Sequence, residues 1–211
     1  MIFIGICGAS GSGKTTLALE LCHAIGASCT LINQDTYYRD NSHLPFEERC
    51  RLNYDEPCIF DHDQLYQDVC DLMNGKSVPR KAYDYSQHRP APSTEMMSPA
   101  DVIIVEGIHA FYDERLCEKM FLKLYVNVDP DICLLRRIQR DINERGRAID
   151  NISSQYTATV KPMFDRYIRN YEQFADVIVA GGGKNAKFTE ILAGYVNNDL
   201  HMYDGSRRGR I

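Results

Sequence analysis

An α/β fold, with a mostly parallel sheet covered by helices on both faces, is predicted by three observations. Five short runs are apolar almost throughout, without the alternation of a half-exposed strand. Stretches of helical spacing separate several of them, as a parallel sheet needs for its crossovers. A chain of 211 residues with 44% hydrophobic and 25% charged side chains is long enough to bury one substantial core.

Taken in order, IFIGICG at 2–8 is the first strand, followed by a helix over 14–25 (KTTLALELCHAI). CTLINQD gives a second strand over 29–35, ending at Asp35. The section 44–99 holds prolines at 45, 57, 79, 90, 92 and 99, which interrupt regular structure. It has one helix candidate, 61–73, and otherwise reads as a polar, aromatic-rich insertion. DVIIVEG (101–107), MFLKLYVNVD (120–129) and ADVIVAG (175–181) supply three more strands. DICLLRRIQRDINERG has helical spacing up to Gly146, and an apolar-periodic helix over 187–200 closes against the sheet. The expected organisation is one domain over 1–200, with the insertion at 44–99, a lid region at 136–155 and a flexible tail at 201–211.

Bulk properties narrow the function classes. A formal charge of -5 argues against a general nucleic-acid binder, which is usually basic. No apolar run reaches the roughly 18 residues needed to span a membrane, and no secretion signal opens the chain. The eight cysteines form no CxxC pair, so they read as free buried thiols in a reducing compartment. The expectation is a cytoplasmic protein.

The strongest motif is GASGSGKT, Gly8, Ala9, Ser10, Gly11, Ser12, Gly13, Lys14 and Thr15, with Thr16 following. It matches GxxxxGK followed by Ser or Thr, placed directly after a strand and before a helix, which is a P-loop context. Glycines let backbone N–H groups wrap phosphates, and the helix start adds partial positive charge. Lys14 can reach the outer phosphates of a nucleoside triphosphate, and the Thr15 hydroxyl suits Mg²⁺. Glu106 ends a strand on the ligand-binding edge of the sheet. It could hold a metal-bound water, orient a substrate, or act as a buried structural acceptor. His109, on the same loop, reads as structural.

A P-loop leaves kinase, regulatory GTPase and ATP-driven mechanical module open. No guanine-reading NKxD stretch is present. A kinase needs an acceptor pocket, a group that takes or orients the acceptor proton, and a cationic cover. Arg136, Arg137, Arg140, Arg145 and Arg147 fall within twelve residues, and arginine forks suit the charge on transferring phosphoryl oxygens. A solvated charged helix is the rival reading, supported by Asp141 and Glu144. NYDEP (53–57) and YDYSQH (83–88) offer carboxylates, phenols and an imidazole for an uncharged, hydroxyl-rich acceptor.

Together, GASGSGKTT, the QDTYYR stretch, NYDEP-x-x-FD, YDYSQH, DVIIVEGIHAF and RRIQRDINERGR followed by SQY resemble the uridine kinase (uridine–cytidine kinase) family. The resemblance runs from the first strand to about Asn185. It implies a P-loop fold and transfer of the terminal phosphate of ATP to the 5′-hydroxyl of uridine or cytidine. It further implies that Asp35 is the catalytic acid–base group, Asp55 binds ribose hydroxyls, and Tyr83 and His88 contact the base. Arg137, Arg140, Arg147 and Gln155 serve substrate and phosphates, with Lys14, Arg140 and Arg147 joining Asp35 in transfer. Glu106 then serves metal and substrate, and a homo-oligomer, a tetramer, is expected. Tyr38 is taken to line the nucleoside pocket, whereas Tyr37 and Arg39 either line it or hold the loop. One departure stands out: VAGGGKN (179–185) has alanine or glycine where the family often carries arginine. A phosphoribulokinase-like enzyme is the nearest alternative, although a sugar-phosphate acceptor would need more cationic groups.

Overall fold

A computed structural model describes residues 1–208, with side-chain surroundings through Leu200. Nine strands follow in chain order: β1 (Ile2–Gly8), β2 (Cys29–Asn33), β3 (Val78–Pro79), β4 (Ala82–Asp84), β5 (Arg89–Ala91), β6 (Met96–Met97), β7 (Val102–Glu106), β8 (Leu122–Asn127) and β9 (Val177–Ala180). The helices are α1 (Lys14–Ala24), α2 (Phe46–Arg49), α3 (His62–Met73), α4 (Glu114–Cys117), α5 (Pro130–Asn143), α6 (Ile149–Gln155), α7 (Lys161–Arg166) and α8 (Ala186–Arg208).

The five apolar runs form one sheet in the order β2-β7-β1-β8-β9, parallel throughout. Every residue of β1 and β7 is buried, as expected for central strands covered on both faces. Two apolar layers flank the sheet. Leu17, Ala18 and Leu21 of α1 and Leu192 and Val196 of α8 pack on Ile4 and Ile104. On the other face Leu65, Val69 and Leu72 of α3 and Tyr171 pack against Phe3, Ile103 and Val105. The amphipathic spacing of α3 turns its leucines inward, and Asp61 caps it by accepting from Gln64 N at 3.0 Å.

Several expectations shift at the edges. β2 stops at Asn33, because the Asn33 side chain accepts from Asp35 N and starts a 3₁₀ turn over Gln34–Tyr37. The insertion is more ordered than its prolines suggest, with ladders β3–β6 and β4–β5, both antiparallel. The terminal helix runs past 200 to Arg208, through much of the expected tail; 209–211 lie outside the described residues. The cysteine reading is corrected: Cys22 and Cys29 are joined by a disulfide, Cα atoms 5.6 Å apart. The short connection between α1 and β2 brings the last turn of the helix beside the first residue of the strand. Cys7 and Cys133 are buried free thiols, but Cys50 and Cys58 are exposed. No helix among the described residues is long and apolar enough to cross a membrane.

Candidate active site

β1 delivers the loop 8–15 to the carboxyl edge of the sheet. Gly11 and Gly13 take φ of 84° and 97°, a region open to glycine at little cost. Space demands glycine too, since a Cβ at Gly11 would collide with the Cys133 carbonyl and one at Gly13 would lie 2.7 Å from Gly183 N. α1 starts at Lys14 with no side chain capping its free N–H groups, leaving them to face an anion. Lys14 is buried and its Nζ donates to the Ala9 carbonyl across the loop at 2.9 Å. Ser10, Gly11, Gly13, Lys14, Thr15 and Thr16 line a cavity of about 290 Å³ together with Glu106, Arg136 and Arg140. Gly8, Ala9 and Ser12 lie behind this lining: Gly8 ends β1, and Ser12 is fully buried.

Thr15 Oγ1 donates to Glu106 Oε1 at 2.9 Å, so the two expected metal ligands are neighbours. Both are hard oxygen donors, the kind Mg²⁺ takes in small number while phosphates and water supply the rest. Burial pushes the Glu106 carboxyl up to about 7; Lys14 opposes the shift and the Asp35 charge adds to it. A bound divalent cation favours the ionised form of such a group.

The second cavity is formed by loops and the lid. All nine residues expected to bind the acceptor line it: Asp35 and Tyr38 from the turn after β2, Asp55, Tyr83 and His88 from the insertion, and Arg137, Arg140, Arg147 and Gln155 from the lid region. Its free volume is only about 50 Å³, since its own side chains fill it. Arg145 lies over the Tyr85 ring, 4.7 Å from its centroid, and Tyr38 stacks on Phe60 and meets Tyr54 and Tyr83. Ser10, Asp35, Ile108 and Arg140 line both cavities, so these four mark the junction between them.

Polar contacts cross that junction. Arg137 is buried, and its Nη1 donates to Ser10 Oγ of the phosphate loop at 2.9 Å. Its Nη2 donates at 3.0 Å to Gln155 Oε1, which also accepts from Arg147 Nη1 at 2.9 Å. Asp55 is 3.9 Å from Arg137 Nη1 and accepts from Thr159 Oγ1 at 3.1 Å. Burial raises its carboxyl above the usual range, against the pull of Arg137.

Behind the arginines sits Asp141, fully buried and outside the cavity lining. Its Oδ1 accepts from Arg140 Nε at 2.9 Å and Nη2 at 2.8 Å. Arg145 is 3.5 Å away, and Arg137 and Arg147 each 3.7 Å. Burial alone would raise this carboxyl, but the guanidinium groups of Arg140 and Arg137 outweigh it and hold it below the usual range. Gly146, at φ 62°, turns the chain so that Arg147 N reaches the Asp141 carbonyl at 3.0 Å. The side of the lid helix that carries Arg137, Arg140 and Asp141 is therefore no solvated face; it gathers cations around one buried anion.

Residues left open by the sequence now separate. Tyr37 is buried and donates to Asp68 at 2.9 Å, and Arg39 donates to the Cys58 carbonyl at 3.2 Å, so both hold the loop. His109 is buried between the Asp55 carbonyl (2.8 Å) and the Tyr171 hydroxyl (3.0 Å), a structural role. Sequence reasoning offered Tyr54 and Tyr85 only as phenols of NYDEP and YDYSQH, read Asp141 as the mark of a solvated helix, and gave Arg145 no contact. Tyr85 follows the end of β4 and opens the turn to β5, where its ring meets that of Tyr83 at 5.4 Å. At the departure near 180, Gly181 takes φ 78° with open space around it, whereas its neighbours are packed: a Cβ at Gly182 would lie 2.9 Å from the Ser12 carbonyl, and one at Gly183 would collide with that of Gly13. Arg136, whose Nη1 is 3.5 Å from the Ser12 carbonyl, supplies a cation beside this loop.

A profile described as the phosphoribulokinase / uridine kinase family matches residues 3–187. A uridine kinase of Bacillus subtilis (strain 168) is 45% identical over 202 residues, covering 95% of this chain and 96% of the relative. A uridine kinase of Clostridium perfringens (strain 13 / Type A) is 40% identical over 204 residues, 96% and 98% of the two chains. Among solved structures, a possible uridine kinase from Bacillus stearothermophilus shares the fold at a TM-score of 0.59, with 20% identity over 84% of this chain and 88% of that one. With the phosphate loop, the parallel sheet and a match across most of its length, the chain belongs to the phosphoribulokinase / uridine kinase family.

Proposed function

We propose that the protein transfers the terminal phosphate of ATP to the 5′-hydroxyl of uridine and cytidine, giving UMP and CMP. The observation that carries this reading is the junction: Asp35 and Arg140 line both the phosphate-loop cavity and the aromatic cavity. A group that must touch donor and acceptor at once belongs there. The full-length similarity to uridine kinases supports the substrate class. The acceptor cavity favours a nucleoside over a sugar phosphate, because Tyr38, Tyr54, Tyr83 and Tyr85 offer ring faces to a planar base.

In the reaction, the 5′-oxygen forms a bond to the terminal phosphorus, the bond to the ADP oxygen breaks, and the hydroxyl proton passes to Asp35. A carboxylate is a weak base towards an alcohol, but a loose transition state lets orientation and late proton acceptance suffice. Lys14 and Arg140 face the charge spread over the transferring oxygens, and a preformed positive site stabilises it without reorganisation. Asp55 accepts from the ribose hydroxyls, and His88 faces the base edge, donating to a carbonyl or accepting from an amino group by tautomer. Mg²⁺, held by Thr15 and Glu106, would neutralise charge on the outer phosphates when bound.

The test is an assay with ATP, Mg²⁺ and a panel of nucleosides, read as monophosphate formed. UMP and CMP are expected, with little product from purine nucleosides; no nucleoside product would sink the reading. Asp35→Asn is expected to lower kcat about a hundredfold or more, while calorimetry shows ATP binding retained. A variant within a few-fold of the parent would remove Asp35 from the transfer step.

A further inference from the structure

Arg49, the last residue of α2, is buried yet pairs with no carboxylate among the described residues. A buried guanidinium without an acid is unfavourable unless hydrogen bonds replace its water. Here those bonds go to the backbone: Nε donates to the Gln87 carbonyl at 3.1 Å and Nη1 to the Leu44 carbonyl at 2.6 Å. Its flat face lies over the Phe46 ring, 5.7 Å from the centroid.

The Gln87 carbonyl belongs to the peptide plane that precedes His88. His88 is the one non-glycine residue with positive φ, 50°, among the described residues, a conformation that must be held by its surroundings. Asp84 holds the same turn from the other side, accepting from Ser86 N at 2.9 Å and Gln87 N at 3.1 Å. Both polar groups of the Gln87 backbone are thus tied, one to Asp84 and one to Arg49, and the plane from which the His88 φ is measured cannot swing. The result is visible in the ring: the His88 imidazole stacks on Tyr54 at 4.8 Å and 27°, in the wall of the acceptor cavity.

We propose that Arg49 is a positioning residue for the acceptor base: it holds the strained turn that aims His88 into the acceptor cavity, and so sets nucleoside affinity without touching substrate. The proposal rests on the nucleoside reading above. Arg49 itself lines neither cavity; its hydrogen bond reaches the acceptor wall through the turn that carries His88. Its removal therefore weakens nucleoside binding while leaving ATP binding and the rate at saturation in place.

The test first confirms uridine phosphorylation by the parent enzyme, since a parent inactive on every nucleoside refutes the functional reading and not this one. Arg49→Gln is then expected to raise KM for uridine about tenfold, with kcat and KM for ATP within about twofold. Arg49→Lys, which keeps the charge but not the fork, falls between the two. In a His88→Ala background, Arg49→Gln adds less than about twofold, because the route through His88 is already gone. The proposal is overturned if Arg49→Gln has its full effect on top of His88→Ala, if kcat and KM for ATP change with KM for uridine, or if KM for uridine stays at the parent value. Loss of cooperative thermal unfolding in both Arg49 variants also overturns it, since Arg49 would then serve the fold as a whole.

Discussion

The donor and acceptor halves of this site are built from different materials. The donor half is largely backbone: a glycine loop seated on a second pair of glycines, 182–183, at distances that exclude a Cβ, beside a cavity of about 290 Å³. The acceptor half is side chains: aromatic rings, arginines and carboxylates from four separate segments, packed until about 50 Å³ remains. A phosphate chain is the same in every nucleotide, so a rigid, preformed cradle suits it. The acceptor half is held together by side-chain contacts, Arg145 over the Tyr85 ring among them. Selection falls to the half built of side chains, through contacts that only a fitting base and ribose complete.

The sharpest way to break this comparison is at Asp141, on which the arginines converge. Asp141→Ala leaves four guanidinium groups crowded without their anion, and stranding a buried charge costs about 3–5 kcal/mol. We expect kcat/KM to fall about a thousandfold, measured by steady-state kinetics beside a thermal melt, while ATP analogues still protect the P-loop half. An intact kcat/KM would mean that the arginines are placed by something else.

A second test concerns the floor of the acceptor half. Burial pushes the His109 imidazole down to about 4, below the ordinary 6.5 of the unfolded chain. The native state therefore refuses a proton that the unfolded state accepts. Its contribution is complete above pH 6.5 and is lost as pH falls from 6.5 towards 4, by ~3 kcal/mol. Urea denaturation at pH 7 and pH 4.5 should show this loss, and His109→Gln should flatten the difference. An unchanged pH dependence in the variant would assign the acid sensitivity to other groups.

The smallest expected effect lies on the donor side. Gly183→Ala places a methyl group against the Gly13 carbonyl, and the loop must lift from the cradle. Affinity for ATP should drop about tenfold, ~1.4 kcal/mol, with uridine affinity unchanged by calorimetry. Equal losses for both ligands would show that the halves are not separable in this way.

The same division explains what could be read from the sequence. The phosphate loop is a contiguous motif whose backbone geometry its own glycines dictate, and the five apolar runs became five parallel strands. Asp35, Asp55, Tyr83, His88 and Gln155 were legible because each stands in a short characteristic stretch. Asp141 and Arg49 were not, because their roles arise only where segments distant in sequence meet. On the chain, Asp141 is an acid among bases on a helix, as an exposed helix would also show. Arg49 is one charge in FEER, and nothing nearby announces that it ends on the carbonyl before His88. The Cys22–Cys29 bond was hidden for a related reason: a separation of seven residues becomes proximity only once the helix has reversed into the strand.

The bond between Arg137 and Ser10 has a last consequence. Ser10 stands in the glycine loop, whereas Arg137 shares Gln155 with Arg147 in the wall of the second cavity. A hydrogen bond therefore joins the phosphate loop directly to the wall of the second cavity. By thermodynamic reciprocity, whatever factor ATP applies to nucleoside affinity, the nucleoside applies to ATP affinity.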